Sequence, residues 1–239
     1  MEIKEFVSWL NFETPAPAHA DLLAAFGFGL LLCILPFTWR RLEIVDTYFH
    51  ELGHALAALF TGNKVHKIRI EANAGGVTYW SGRSGRFGRA FIAFCGYPAP
   101  AITGWFLMLS VRSGHPNWAI AAATTIAIVF ALVQRSLRGW ALTALVLAAS
   151  FWIYLTPQSA NTDQIVSTVL AGMAGFLLLA SPRSILALRK IRRATPKAMR
   201  HSDSDALAKY LVLPAFMWEF AFLILCVFLI ETSVIALLI

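Results

Sequence analysis

Charge is scarce in this sequence. Asp, Glu, Lys and Arg make up 14% of its 239 residues, against 58% apolar. Soluble domains carry about 25% charge, so this chain has too little polar surface to cover a water-facing globule. Acidic residues are the scarcer sign, 13 against 20 basic. Cysteine is confined to Cys33, Cys95 and Cys226, far apart and inside or beside apolar runs. That spacing excludes a disulfide framework and a cysteine metal knuckle, and leaves them as small core residues. No repeat at a solenoid period is visible. No cleavable signal peptide is expected, because Ala16-Pro17-Ala18 precedes the first apolar run instead of following it.

What the chain has in abundance is apolar runs, with a mean hydropathy of +0.66. Runs over 22–37, 42–60, 90–111, 118–133, 140–155, 165–180 and 211–230 predict an all-α polytopic membrane protein of about six to seven transmembrane helices. We read residues 1–239 as one integral membrane domain. Within it, 42–110 carries the chemistry, 111–182 supplies accessory spans, and 183–239 is a basic connector with the last span. A net charge of +7 raises the question of nucleic acid. The basic residues fall between the apolar runs, where membrane topology puts them, so the expected partner is the lipid bilayer and not nucleic acid.

One of these runs is unusually polar. It contains His50-Glu51-Leu52-Gly53-His54, an H-E-x-x-H motif. On a helix the two histidines lie one turn apart on one face and can reach a single metal ion, with Glu51 beside its open position. Glu43, Asp46, His50 and His54 share one stripe, and ionisable groups at membrane depth face a functional interior by default. Asp46 is placed either to orient His50 or as a plain interfacial carboxylate. Period-two alternation over 65–70 and strand formers over 77–80, separated by Asn73-Ala74-Gly75-Gly76, predict a small membrane-associated β-hairpin after the motif helix. The free edge of that hairpin makes Asn73, Gly75, Gly76 and Val77 candidates for substrate binding. Gly96-Tyr97-Pro98-Ala99-Pro100 predicts a broken third span.

A catalytic zinc takes three protein ligands. Candidates for the third are Asp203, Asp205, Glu71, Asp163, Glu219 and His201. Asp163 falls on the far side and Glu71 sits on the hairpin. Asp203 and Asp205 both reach the last span from the right side, and spacing does not separate them. Ser202 or Asp203 also suits a plain helix N-cap. With seven spans and the N-terminus inside, seventeen of the twenty Lys and Arg fall on the cytoplasmic side. The positive-inside rule then places the N-terminus, the hairpin and the mouth of the site together on that side. Arg40 and Arg41 are the exception and keep open a re-entrant motif helix.

The run His50 to Ala55, the Gly75-Gly76-Val77-Thr78 turn, Gly96 to Pro100, and Ser202-Asp203-Ser204-Asp205-Ala206-Leu207-Ala208 followed by Pro214 and Trp218 together resemble the site-2 protease superfamily. They are most similar to its bacterial B-like branch. The resemblance implies an intramembrane zinc metalloendopeptidase of a bacterial inner membrane, acting on a membrane-protein substrate in regulated proteolysis or signalling. It implies His50, His54 and Asp203 as ligands of one Zn2+ ion and Glu51 as the catalytic base. The chain departs from better-known members in lacking an Asp-Gly pair at Asp203 and an asparagine after the third-span prolines, which leaves the oxyanion donor unassigned. A catalytically silent zinc-binding adaptor and a small transporter are the rival readings.

Overall fold

The computed structural model describes residues 3–15, 17–71, 73–157, 159–194 and 202–238. Its helices are α1 (Ile3–Leu10), α2 (His19–Ile34), α3 (Pro36–Phe60), α4 (Arg86–Phe94), α5 (Ala99–Arg112), α6 (Pro116–Val133), α7 (Leu137–Leu155), α8 (Ala160–Ala194), α9 (Asp203–Tyr210) and α10 (Ala215–Leu238), with strands β1 (Lys64–Ile70) and β2 (Gly76–Ser81) between α3 and α4. The chain is an all-α polytopic membrane protein bearing one antiparallel hairpin. Helices α6, α7, α8 and α10 are each long and apolar enough to cross a bilayer. Counting each bent pair as one span, α2 with α3 and α4 with α5, raises the number to six.

Helix α8 is the centre of the bundle. Two-thirds of its most apolar window is buried inside the protein, whereas only 17% of the corresponding α7 window is, so α7 presents its apolar surface to lipid. Helix α2 lies against α8 at backbone contact distance. A Cβ on Gly29 would strike the Gly172 carbonyl and the Phe176 amide, and one on Gly175 would strike the Phe26 carbonyl. Without a hydrophobic drive between helices in lipid, such glycine approaches supply the dispersion contact that holds spans together.

Four sequence expectations change. The connector expected over 183–200 is helical up to Ala194, because α8 runs straight through Pro182. Its Arg183 is satisfied at the helix flank, donating to the Cys33 and Ile34 carbonyls and lying 4.5 Å over the Trp39 ring. The motif helix also starts earlier than 42, at Pro36 in its first turn, and meets α2 at a 99° bend. Arg40 and Arg41 are thus helical residues, with Arg41 stacked 3.7 Å over Phe37. This right-angle pair replaces the two separate spans of the seven-span count.

The bend also moves the N-terminus. Thr14 donates its amide to the Gly114 carbonyl at 2.8 Å, and Asn117 donates to the Trp9 carbonyl at 2.7 Å, so the N-terminal residues sit at the α5–α6 turn. The hairpin sits on the α6–α7 turn: Arg135 donates its amide to the Ile68 carbonyl at 2.9 Å and Ile70 to the Ser136 hydroxyl at 3.0 Å. The 18 residues of α6 separate those turns by about 27 Å. The N-terminus and the hairpin therefore lie at opposite ends of the bundle, not on one face.

Candidate metal centre

The hairpin and the broken third span form where the sequence predicts them, and both press on α3. Strands β1 and β2 pair from Lys64↔Ser81 to Ile70↔Gly76, with an irregularity between Val65 and Lys67. Thr47 on α3 donates to the Ala74 carbonyl at 2.6 Å and anchors the hairpin turn there. Helices α4 and α5 meet at 63° around Cys95–Pro98. Gly96 in that break leaves room for the two imidazoles: a Cβ there would fall 2.5 Å from His54 Cε1 and 2.8 Å from His50 Cε1.

His50 and His54 stand edge to face with ring centroids 4.7 Å apart, and their Nε2 atoms approach to 3.1 Å. Asp203, the first residue of α9, brings Oδ2 to 3.1 Å from His50 Nε2 and 3.3 Å from His54 Nε2. The three atoms form a nearly equilateral triangle. Three corners of a tetrahedron with zinc bonds of roughly 2.0–2.1 Å lie about 3.3 Å apart, so the triangle has the dimensions of a three-ligand zinc site. The donor chemistry agrees. His54 Nδ1 lies 2.8 Å from the Ile92 carbonyl and donates to it, which turns the Nε2 lone pair toward the triangle. Lone pairs converging this closely repel one another unless a positive charge lies among them.

Glu51 stands apart from the triangle on the same helix. It is buried, and its Oε2 accepts a 2.6 Å hydrogen bond from the Thr78 hydroxyl on β2. Gly76 lies so close that a Cβ would come within 2.5 Å of Glu51 Oε1. A cleft of about 380 Å³ opens over these groups, lined on one side by Gly76, Val77, Thr78 and Trp80 of β2 and on the other by Asp203, Ala206 and Tyr210 of α9.

The other third-ligand candidates are elsewhere. Asp205 and Glu219 both bind Arg192, at 2.7 Å each. Burial alone would raise the Asp205 carboxyl; hydrogen bonds from Arg192 and Ser202 outweigh it and hold the group below the usual carboxylate range. Asp163 is at the start of α8, and His201 is outside the described residues. Glu71 is exposed at the hairpin turn. Asn73 is spent locally, accepting from the Gly75 amide at 3.0 Å, and neither residue lines the cleft, unlike Gly76 and Val77. Asp46 accepts from the Ser184 hydroxyl at 2.6 Å, and its other oxygen is buried without a partner among the described residues. Among the residues at or supporting the site that sequence reasoning leaves unassigned are Thr78 and Arg192. Thr78 was signalled by the Gly-Gly-Val-Thr pattern; Arg192 was hidden in a basic run.

The Peptidase M50B-like family model matches residues 23–233. This chain belongs to that family. The match runs from α2 into α10 and so takes in the histidine pair, Glu51, the hairpin, the broken span and Asp203. No curated protein and no solved structure matches the chain. Membership assigns a peptidase family to a helical membrane protein whose His50, His54 and Asp203 are grouped as a metal site would require.

Proposed function

We propose that this chain is an intramembrane zinc endopeptidase that cleaves a transmembrane or juxtamembrane segment of a membrane-protein substrate. The observation that carries the reading is the triangle of His50 Nε2, His54 Nε2 and Asp203 Oδ2 with Glu51 buried beside it. Those three residues would hold one Zn2+, which when bound supplies Lewis acidity to the scissile carbonyl and to the attacking water. Glu51 acts as general base on that water and then returns the proton to the leaving amine. Thr78 fixes the glutamate's rotamer through its 2.6 Å hydrogen bond, leaving the other carboxylate oxygen for the proton. Gly76 and Val77 bind substrate as an added strand along the outer edge of β2, which faces the cleft while β1 is covered by the 134–136 turn. An extended segment exposes the peptide bond that a helix hides. The Lys and Arg of the hairpin, of the α6–α7 turn and of the end of α8 support a cytoplasmic placement of this end of the bundle.

The test is cleavage of a membrane-inserted substrate by purified full-length protein in proteoliposomes. Glu51→Gln is expected to lower turnover by about 10²–10⁴-fold, the usual contribution of a general base, with zinc content unchanged. Equal turnover by both proteins would remove the peptidase mechanism, and an unaltered cellular phenotype of Glu51→Gln would favour the adaptor.

A further inference from the structure

Asp203 reaches the two histidines from an eight-residue helix that is separated in sequence from α8 and packs on α4 and α10. Something must fix the first turn of α9 to within tenths of an ångström, since a carboxylate ligand that drifts weakens the whole trio. The residues on either side of Asp203 show what does so. Ser202 is the N-cap, with Asp205 closing a capping box. Ser202, Ser204 and Asp205 all turn their side chains to one guanidinium, that of Arg192 on α8. Its Nη2 donates to Ser202 Oγ and Ser204 Oγ at 2.9 Å each and to Asp205 Oδ2 at 3.2 Å; its Nη1 donates to Asp205 Oδ1 at 2.7 Å. The third edge of the fork, Nε, donates to Glu219 Oε1 of α10 at 2.7 Å, and Arg189 supports Glu219 Oε2 at 3.7 Å. One planar cation thus joins the central helix, the last helix and the turn that carries Asp203. Two arginines against two carboxylates balance the cluster, leaving Asp203 as the one carboxylate of this turn directed at the histidines.

We propose that Arg192 is the positioning residue that holds Asp203 against His50 and His54 and thereby sets the affinity of the trio for its metal. The proposal rests on the zinc reading above. A lysine at 192 keeps the charge but loses the rigid fork, whose separate nitrogens reach Glu219 on one side and Ser202, Ser204 and Asp205 on the other. Groups that orient metal ligands typically contribute 10–100-fold to affinity.

Zinc affinity of the full-length protein in detergent is measured against a chromogenic chelator, with the visible absorption of the cobalt-loaded protein as a second readout. Arg192→Lys is expected to bind zinc 10–100-fold more weakly and to change the cobalt spectrum, and excess zinc should restore turnover. In an Asp203→Ala background the same substitution should have no further effect on affinity. Wild-type affinity in a folded Arg192→Lys protein overturns the proposal, as does an equal loss in the Asp203→Ala background, which would mark a general structural role. If Arg192→Lys does not fold, Asp205→Asn takes its place: weaker zinc binding supports the proposal and unchanged binding overturns it. A wild-type protein that binds no zinc overturns the metal reading itself, and a zinc-binding wild type with unaffected variants overturns only the role of Arg192.

Discussion

At position 53 the motif carries glycine because α3 and the break after α4 touch backbone to backbone there: a Cβ would fall 2.6 Å from that of Ala99 and into the Cys95 carbonyl. The same contact brings Gly96 over the imidazoles. Gly96→Ala is therefore expected to weaken zinc binding by at least about tenfold, the scale of a misplaced ligand, while Gly27→Ala, with nothing within 4 Å of its Cβ, leaves binding unchanged. Zinc titration of the two proteins checks both outcomes. Gly76→Ala crowds Glu51 and not the histidines, so it should retain zinc and lose turnover. That His50 and His54 stand together on one face was legible in the sequence, because helical periodicity alone fixes it for residues four apart. Asp203 was not separable from Asp205 on spacing. What distinguishes them is the guanidinium of Arg192, a contact between segments that no local pattern encodes.

Elements were legible where their ends carry local chemistry. The hairpin has its Asn-Ala-Gly-Gly turn and alternating strands, and the broken third span has its two prolines. Helix α8 misled because Pro182 and Arg183 look like a terminus, yet the surrounding helices satisfy Arg183 and the helix continues for a further three turns. At 35 residues it is about 52 Å long, well beyond a hydrocarbon core of about 30 Å. Its last turns are thus free to reach α9. The docking of α9 has a predictable pH dependence. The Asp205 carboxyl is lowered in the folded protein, so the stability it adds is fully present above its unfolded value of about 3.9 and is lost as pH falls through the lower folded one. Amide exchange in α9 should be flat from pH 8 to pH 5 after correction for intrinsic rates, and should accelerate only below about pH 4. Loss of protection near neutral pH would mean that this carboxylate does not hold the helix.

Across the whole molecule, the 99° bend between α2 and α3 decides which ends go together. Charge counting alone placed the N-terminus beside the site, because two short apolar runs were counted as two crossings. The contacts of Thr14 with Gly114 and of Ile68 with the α6–α7 turn put them apart. Cysteines introduced at Ser8 and Arg83, in a protein whose three native cysteines are replaced, should react with a membrane-impermeant reagent from opposite sides of oriented vesicles. Labelling from the same side would restore the two-crossing arrangement. The site end is then one assembly, in which α3 brings the histidines and Glu51, β2 the Thr78 hydroxyl and a free edge, and α8 with α10 the anchorage of α9. Its central feature is the His50, His54 and Asp203 trio set across two helices distant in sequence, and zinc content per chain most directly tests the proposal that this trio holds a metal. Wild type and Glu51→Gln, purified side by side, should each carry one zinc ion, and Asp203→Ala should lose it under the same dialysis. A full complement of zinc in the Asp203→Ala protein would contradict the account.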